Sequence, residues 1–292
     1  MSSKTESGGL QSTPAVAHTS AGAGHACETC PMHAEMAQLG AAVGGFDFTV
    51  ALAGNPNTGK STLFNALTGL RQHTGNWPGK TVTRAEGGFQ FSAKRYKLVD
   101  LPGTYSLLSA SDDEEVARNF LLFGRPDCTV VVVDASALER NLYLVLQVLE
   151  ITDRVVVAVN LMDEAKRRGI DVDVRSLARD LGVPAVPIIA RTGENVMALL
   201  QEVANVVSGE TVTSPLRSKG TPEFERAVSA LVPMIEKAAP GVPNARWIAI
   251  RLLDGDSSVE EALASGRLAE LVAKQQTPDQ RFSRKIALQG AQ

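Results

Sequence analysis

The chain has 292 residues, 44% of them hydrophobic and 21% charged, with a net charge of −3 and an isoelectric point near 5.9. That is the balance of an ordinary soluble globular protein, and it gives no global pull toward nucleic acid or anionic lipid. No apolar run reaches the roughly 18 residues that a membrane-spanning helix needs, the start lacks an apolar signal core, and three cysteines are too few for a disulfide framework, so the reading is a chain that stays in a reducing cytoplasm.

Residues 1–45 are rich in Ser, Gly, Ala, Thr and His, lack sustained periodicity, and read as mostly disordered. Within them, His25, Cys27, Cys30 and His33 place two thiols and two imidazoles in nine residues. Such ligands suit Zn²⁺ or Fe²⁺. A four-ligand shell in so short a loop is tight, so the competing reading is a solvated tail with a redox-labile cysteine pair. Assembly across a homo-oligomer is one route to a complete shell.

Residues 46–208 alternate β-branched runs with helical patterns. The runs are Phe48–Ala53, Gly87–Phe91, Tyr96–Val99, Cys128–Val133, Val155–Asn160 and Ala185–Ala190. Helices are expected over Lys60–Thr68, Glu114–Phe123, Leu142–Thr152, Met162–Arg168, Val174–Leu181 and Val196–Val207. This is the pattern of an α/β domain with a mostly parallel six-stranded sheet and right-handed crossovers, and the closeness of the second and third runs suggests one antiparallel hairpin. Cys128, inside an apolar run, reads as a buried core thiol. Residues 209–220 read as a linker. Residues 221–276 carry helical periodicity, opened by Thr221 and Pro222 as cap and first helical residue, and form a small all-α domain. Residues 277–292 read as an unstructured tail.

The first chemical motif is GNPNTGKST, a G-x-x-x-x-G-K-[ST] loop between an apolar run and a helix. Gly54, Asn55, Pro56, Asn57, Thr58, Gly59, Lys60, Ser61 and Thr62 form the candidate phosphate cradle. Backbone N–H groups and the helix N-terminus favour an anion there, Lys60 reaches the β- and γ-phosphates, and the Ser61 hydroxyl suits Mg²⁺. Next comes Asp100-Leu-Pro-Gly103 at the end of an apolar run. Asp100 can hold Mg²⁺ through water, and the N–H of Gly103 can bond the γ-phosphate and sense its loss. Between the two motifs lies a polar stretch from His73 to Thr83, in which Thr81, ahead of Thr83, is the candidate to complete the Mg²⁺ shell. Trp77 in that stretch reads as a surface residue. Asn160-Leu-Met-Asp163 closes a later run. A carboxylate at Asp163 can accept both the ring N–H and the exocyclic amine of guanine, which adenine cannot match. Asn160 would touch the base and tie the loops together, and a backbone N–H around Ala190 and Arg191 is placed for the guanine oxygen.

These motifs in this order resemble the translation-factor-like, Ras-like GTPases of the P-loop class. The spellings GNPNTGKSTLFNALTG, TGNWPGKTVTRAEG, VDLPGTYSL and NLMD are similar to the cytosolic N-terminal G domain of the FeoB family of bacterial ferrous iron transport proteins. RWIAIRLLDGD is similar to that family's second, helical cytosolic domain, which favours GDP retention. The resemblance covers about 46–275. It implies GTP/GDP and Mg²⁺ as ligands, slow GTP hydrolysis through Asn57, Lys60, Thr81 and Gly103, and a K⁺ ion held by Asn57. It also implies a role in ferrous iron transport at the cytosolic face of the inner membrane. The family continues into a membrane permease, so the expected partner is a permease, in a separate chain or a missing C-terminal domain. Where the family's guanine-supporting loop carries Ser before Ala, this sequence has Ile189. The alternatives are a regulatory module in which occupancy matters and turnover is incidental, and a ribosome-linked assembly GTPase. The latter lacks a basic RNA-binding segment, and no nucleic acid partner is expected.

Overall fold

In the computed structural model the described residues are 45–69, 72–77, 80–108, 111–217 and 220–274. The Cys/His cluster at His25, Cys27, Cys30 and His33 lies outside them, as do both predicted tails apart from Gly45. The chain divides into a unit before Phe46 and a unit from Phe46 onward, and all the described elements belong to the second.

The sheet is built from β1 (Phe48–Gly54), β2 (Gln72–Asn76), β3 (Thr83–Phe91), β4 (Lys94–Asp100), β5 (Cys128–Asp134), β6 (Val155–Asn160) and β7 (Ala185–Pro187). Its order is β2-β3-β4-β1-β5-β6-β7. The pairs β2–β3 and β3–β4 are antiparallel and the rest parallel. The sheet therefore has seven strands, not the expected six. The added strand is β2, in the stretch read from sequence as a loop. It lies on the sheet edge, its described residues are exposed, and its pairing runs through backbone groups from Gln72↔Gly87 to Asn76↔Thr83. An exposed edge strand needs no apolar alternation, which is why the pattern did not mark it.

Around the sheet run α1 (Lys60–Thr68), α2 (Asp112–Asn119), α3 (Leu138–Ile151), α4 (Met162–Arg167), α5 (Val174–Leu181) and α6 (Val196–Ser208). The central strands are apolar on both faces and separate two cores. Val50, Leu52, Leu98, Val130, Val132 and Val156 pack with Leu63 and Phe64 of α1 and Leu199 and Val203 of α6. Their alternating neighbours, such as Ala51, Val99, Val131 and Val157, pack with Leu144, Val145 and Val148 of α3. Cys128 is fully buried, and burial pushes its thiol up to about 12, so it stays protonated and inert.

Ser111 caps α2, and its first turn holds four carboxylates, which suit the positive end of the helix. The helix then passes into a π-helical turn, Phe120–Gly124, whose Leu121, Leu122 and Phe123 are buried. The sequence predicted one uninterrupted helix there; a shift of hydrogen-bond register leaves the apolar pattern unchanged.

The C-terminal region is α7 (Pro222–Ala238), α8 (Ala245–Leu253), α9 (Ser257–Ala264) and α10 (Arg267–Lys274). Val228, Ile235, Trp247 and Ile248 join the α3-side core of the sheet. Asn244 caps α8 and also donates to the Glu150 and Ile151 carbonyls at 2.9 and 3.0 Å, tying α8 to the end of α3. The connection before α7 is strapped down. Ser214 N–H donates to Gly182 O at 2.9 Å and Leu216 N–H to Leu181 O at 3.0 Å. Gly182 has φ +72, and a Cβ there would stand 1.9 Å from the Ser214 oxygen, so only glycine admits this strap.

Candidate functional site

The candidate residues gather where β1, β4 and β6 end, at the C-terminal end of the parallel strands. The loop after β1 turns through Asn57 (φ +66) and Gly59 (φ +82) before α1 begins. A Cβ on Gly59 would meet the Asn160 side-chain nitrogen at 2.3 Å, so glycine is required both for the turn and for that approach. Thr58 Oγ1 donates to Asn55 O at 2.9 Å and closes the loop on itself. Asn55 is 2% exposed, yet neither polar atom of its side chain has a partner among the described residues. Asn57 is exposed and its amide is unpaired among the described residues.

Lys60 is buried at the start of α1, and its ammonium donates to Asp100 Oδ1 and, at 2.7 Å, to Leu101 O. The sequence thus brings the loop lysine and the β4 carboxylate into direct contact. Burial raises the Asp100 pKa above its ordinary value, and the Lys60 charge works against that rise. Gly103 comes over the loop: a Cβ on it would stand 3.5 Å from Pro56 backbone atoms. Thr104 follows, its N–H donating to Gly54 O at 3.3 Å and its hydroxyl to Ser106 O at 2.7 Å.

Thr81 stands apart. It is exposed and bonds neither the loop nor Asp100, and the Ser61 and Thr62 side chains are also exposed. Its neighbour Lys80 is held elsewhere, bridging Asp112 at 2.6 Å and Glu115 at 2.9 Å on α2. The hydrogen bonds that Lys80 donates to Asp112 and then Glu115 raise its pKa. Trp77, read from sequence as a surface residue, is half-buried. It meets Phe120 edge-on at 5.4 Å, with the Arg84 guanidinium over its ring at 4.7 Å. No local pattern marks the contacts of Lys80 with α2 or of Trp77 with Phe120, because they join residues more than 30 positions apart.

At the other end, Asn160 is 1% exposed and bridges two loops. Its amide donates to Thr58 O at 2.8 Å, and its oxygen accepts from Ala190 N–H at 2.9 Å. Since the Ala190 amide is taken, Arg191 is the residue of that pair whose amide has no protein partner among the described residues. Asp163 lies in the first turn of α4. Its Oδ2 accepts from Arg191 at 3.2 Å, with Arg167 at 3.5 Å, while its Oδ1 is buried without a partner among the described residues. That orphaned oxygen fits a ligand that brings an N–H donor.

A further network sits behind α2. Arg118, 5% exposed, approaches Ser258 at 3.4 Å and Asp256 at 3.8 Å, with Trp247 at 6.0 Å from its guanidinium. Arg251 reaches the same Asp256 oxygen at 3.2 Å. Burial lowers the Arg118 pKa, opposed chiefly by the Asp256 charge. Charged residues scattered on three helices gave no sequence signal of this joint.

A glycine-rich loop between strand and helix, a carboxylate closing the strand beside it, and an Asn bridge at a third strand end define a P-loop nucleotide-binding domain of the G-domain type, followed here by four helices docked on it. The comparisons narrow this further. The profile described as ferrous iron transport protein B matches residues 48–203, and the profile for the FeoB cytosolic helical domain matches 221–286. The chain belongs to the ferrous iron transport protein B family. It is 41% identical over 217 residues to the Fe(2+) transporter FeoB of Escherichia coli K12, covering 71% of this chain and 27% of that relative. It therefore spans about a quarter of the length of such relatives. The solved cytosolic domain of L. pneumophila FeoB superposes with a TM-score of 0.68 at 35% identity, covering 82% of this chain and 93% of that one. The cytosolic domain of T. maritima FeoB in GDP form I does so with a TM-score of 0.68 at 32% identity, covering 83% and 98%.

Proposed function

We propose that the chain is a GTP-binding and GTP-hydrolysing module that regulates ferrous iron passage through a membrane permease, carried by a partner or by a continuation of this chain. The observation that carries the reading is the Asn160 bridge, which joins the phosphate loop at Thr58 to the Ala190–Arg191 loop beside Asp163. It fixes a phosphate cradle and a guanine-reading carboxylate in one frame. The solved GDP form of the T. maritima relative supports the choice of nucleotide.

In this reading Lys60 leaves Asp100 to meet the β- and γ-phosphates, whose charge replaces that of the carboxylate. Ser61, Thr81 and Asp100 would hold Mg²⁺, a hard cation suited to hydroxyl and carboxylate oxygens. When bound, the ion offsets charge on the two terminal phosphates. Thr81 reaches this shell only after Lys80 has left α2. Water attacks the γ-phosphorus, the bond to the bridging oxygen breaks, and GDP and phosphate leave. The Gly103 N–H steadies the transferring group. No glutamine follows Gly103, and the Thr104 hydroxyl is engaged with Ser106, so no side chain at that position orients water and intrinsic turnover is slow. Asn57, exposed at positive φ with a free amide, is the candidate to hold K⁺ where an arginine finger would otherwise place charge.

The test is a comparison of GTP and ATP hydrolysis in Mg²⁺ with K⁺ or Na⁺. GTP alone is turned over, K⁺ accelerates it, and Asn57→Ala removes the difference between the salts. Preference for ATP would overturn the nucleotide assignment, and equal rates in the two salts would overturn the role of Asn57. The engaged Thr104 hydroxyl also favours a second reading, in which occupancy is the signal and turnover incidental. A single-turnover hydrolysis rate far below the rate of nucleotide exchange would select it.

A further inference from the structure

The loop that follows β7 is a compact turn. Ile189 N–H donates to Glu194 O at 3.1 Å, and Gly193 N–H to Ile189 O at 3.0 Å. Two links tie this turn to the rest of the site. One is the buried bond from Ala190 to Asn160. The other is the ion pair from the Arg191 guanidinium to Asp163, with side chains 75% and 26% exposed. Asp163 Oδ2 has a second cation, Arg167, four residues along the same helix. Arg167 offsets the carboxylate's charge without touching the loop; Arg191 alone joins the loop to the carboxylate. The Arg191 amide, with no protein partner among the described residues, lies on the backbone that this pair holds in place.

We propose that the Arg191 side chain is a positioning residue for the base: its guanidinium latches the loop onto Asp163, holds the Arg191 amide at the base edge, and slows guanine release. This rests on the guanine reading above. A guanidinium presents its N–H groups in a rigid fork and has only to engage the outer face of Oδ2, leaving Oδ1 and the inner lone pair for the base. The pair is exposed, so its effect is modest and salt-dependent.

The experiment is a chase of bound tritiated GDP from the full chain in Mg²⁺, with wild type, Arg191→Met, Arg191→Lys and Arg167→Met, at low salt and at 1 M salt, a level that screens exposed charges beyond about 3 Å. The latch predicts release about two- to five-fold faster from Arg191→Met, the range of an exposed ion pair. Arg191→Lys is intermediate, since it keeps charge and loses the fork, and Arg167→Met releases GDP as wild type does. High salt speeds wild type toward Arg191→Met and leaves that variant little changed. Equal release from Arg191→Met and wild type, when wild type retains GDP and not ADP, overturns the latch alone. Equal acceleration by Arg191→Met and Arg167→Met also overturns it, because bulk charge and not a tethered loop would then set the rate. A wild type that retains ADP in preference to GDP overturns the guanine reading and the latch with it. Arg191 is exposed and contributes nothing to the core, so matching melting temperatures are the control for folding.

Discussion

The two ends of the site are held by opposite kinds of contact. At the proposed base-reading end, beside the exposed Arg191–Asp163 pair, the buried link is neutral: one amide, Asn160, bonded at 2.8 and 2.9 Å to two loops. At the phosphate end the links are ion pairs, Lys60 with Asp100 and Lys80 with Asp112 and Glu115, and the Ser61 and Thr81 hydroxyls face solvent. A buried neutral bridge has no competitor and fixes geometry; an ion pair can be exchanged for a ligand's charge. Under the proposed function, the rigid frame would read the identity of a base, and the contacts that can be traded would register phosphate charge.

The sharpest way to break that contrast is Asn160→Ala. It removes both bridging bonds and leaves the Thr58 carbonyl and the Ala190 amide without their partner. At about 1–3 kcal/mol for each buried group left unpaired, GDP affinity should fall by at least roughly 30-fold. An unchanged dissociation constant in equilibrium dialysis would show that the frame is not what holds the base.

Next in size is the joint behind α2. Asp256→Asn leaves the buried Arg118 without its carboxylate and should lower stability by about 3 kcal/mol, read as the shift of a urea unfolding midpoint. The effect has a pH signature. Burial raises the Asp256 pKa, but hydrogen bonds from Ser258 and Arg251 outweigh it and hold the carboxyl below its ordinary value. A depressed pKa gives stability that is present in full above the unfolded value, about 4, and is lost as pH falls through the folded value. The gap between wild type and Asp256→Asn should therefore close on acidification below about pH 4, and a gap that stays constant would assign the effect to packing.

The smallest expected effect sharpens the contrast from the other side. Lys80→Met removes the bridge to α2, an exposed contact worth a few tenths of a kcal/mol to about 1 kcal/mol. Amide hydrogen exchange at Trp77 and Lys80 should quicken by about two- to five-fold, while the Ala190 amide keeps its protection. Equal quickening at both ends would mean that the two ends are not independently held.

The parts legible in the sequence are those encoded locally. The β1–α1 loop follows from glycine spacing between an apolar run and a helix, and β1, β5 and β6 came out within a residue because buried parallel strands are continuous apolar runs. Tertiary pairing defines the rest. β2 is polar and held by the backbone of β3. The stretch before α7 read as a linker, yet it is strapped to Leu181 and Gly182 by main-chain bonds that no side-chain pattern announces. Arg118 and Ser258 meet across 140 residues, and Lys80 and Asp112 across 32. In the site, Lys60, Asp100 and Asn160 could be found by spacing. The attachment of Arg191 to Asp163 could not, since nothing in either motif tells which way a long exposed side chain turns.

Trp77 and Trp247 are the only tryptophans in the sequence, and they flank the same stretch of chain. Trp77 rests on Phe120 in the π-helical turn, and Trp247 lies beside Arg118 in the last turn of α2. Each indole has different neighbours, so intrinsic fluorescence can report on both flanks. A Trp247→Phe variant follows the stretch around Lys80 alone, and a Trp77→Phe variant follows the docked helices alone. Mixing either with nucleotide in a stopped-flow instrument would give the order in which the two flanks respond, without attaching any label.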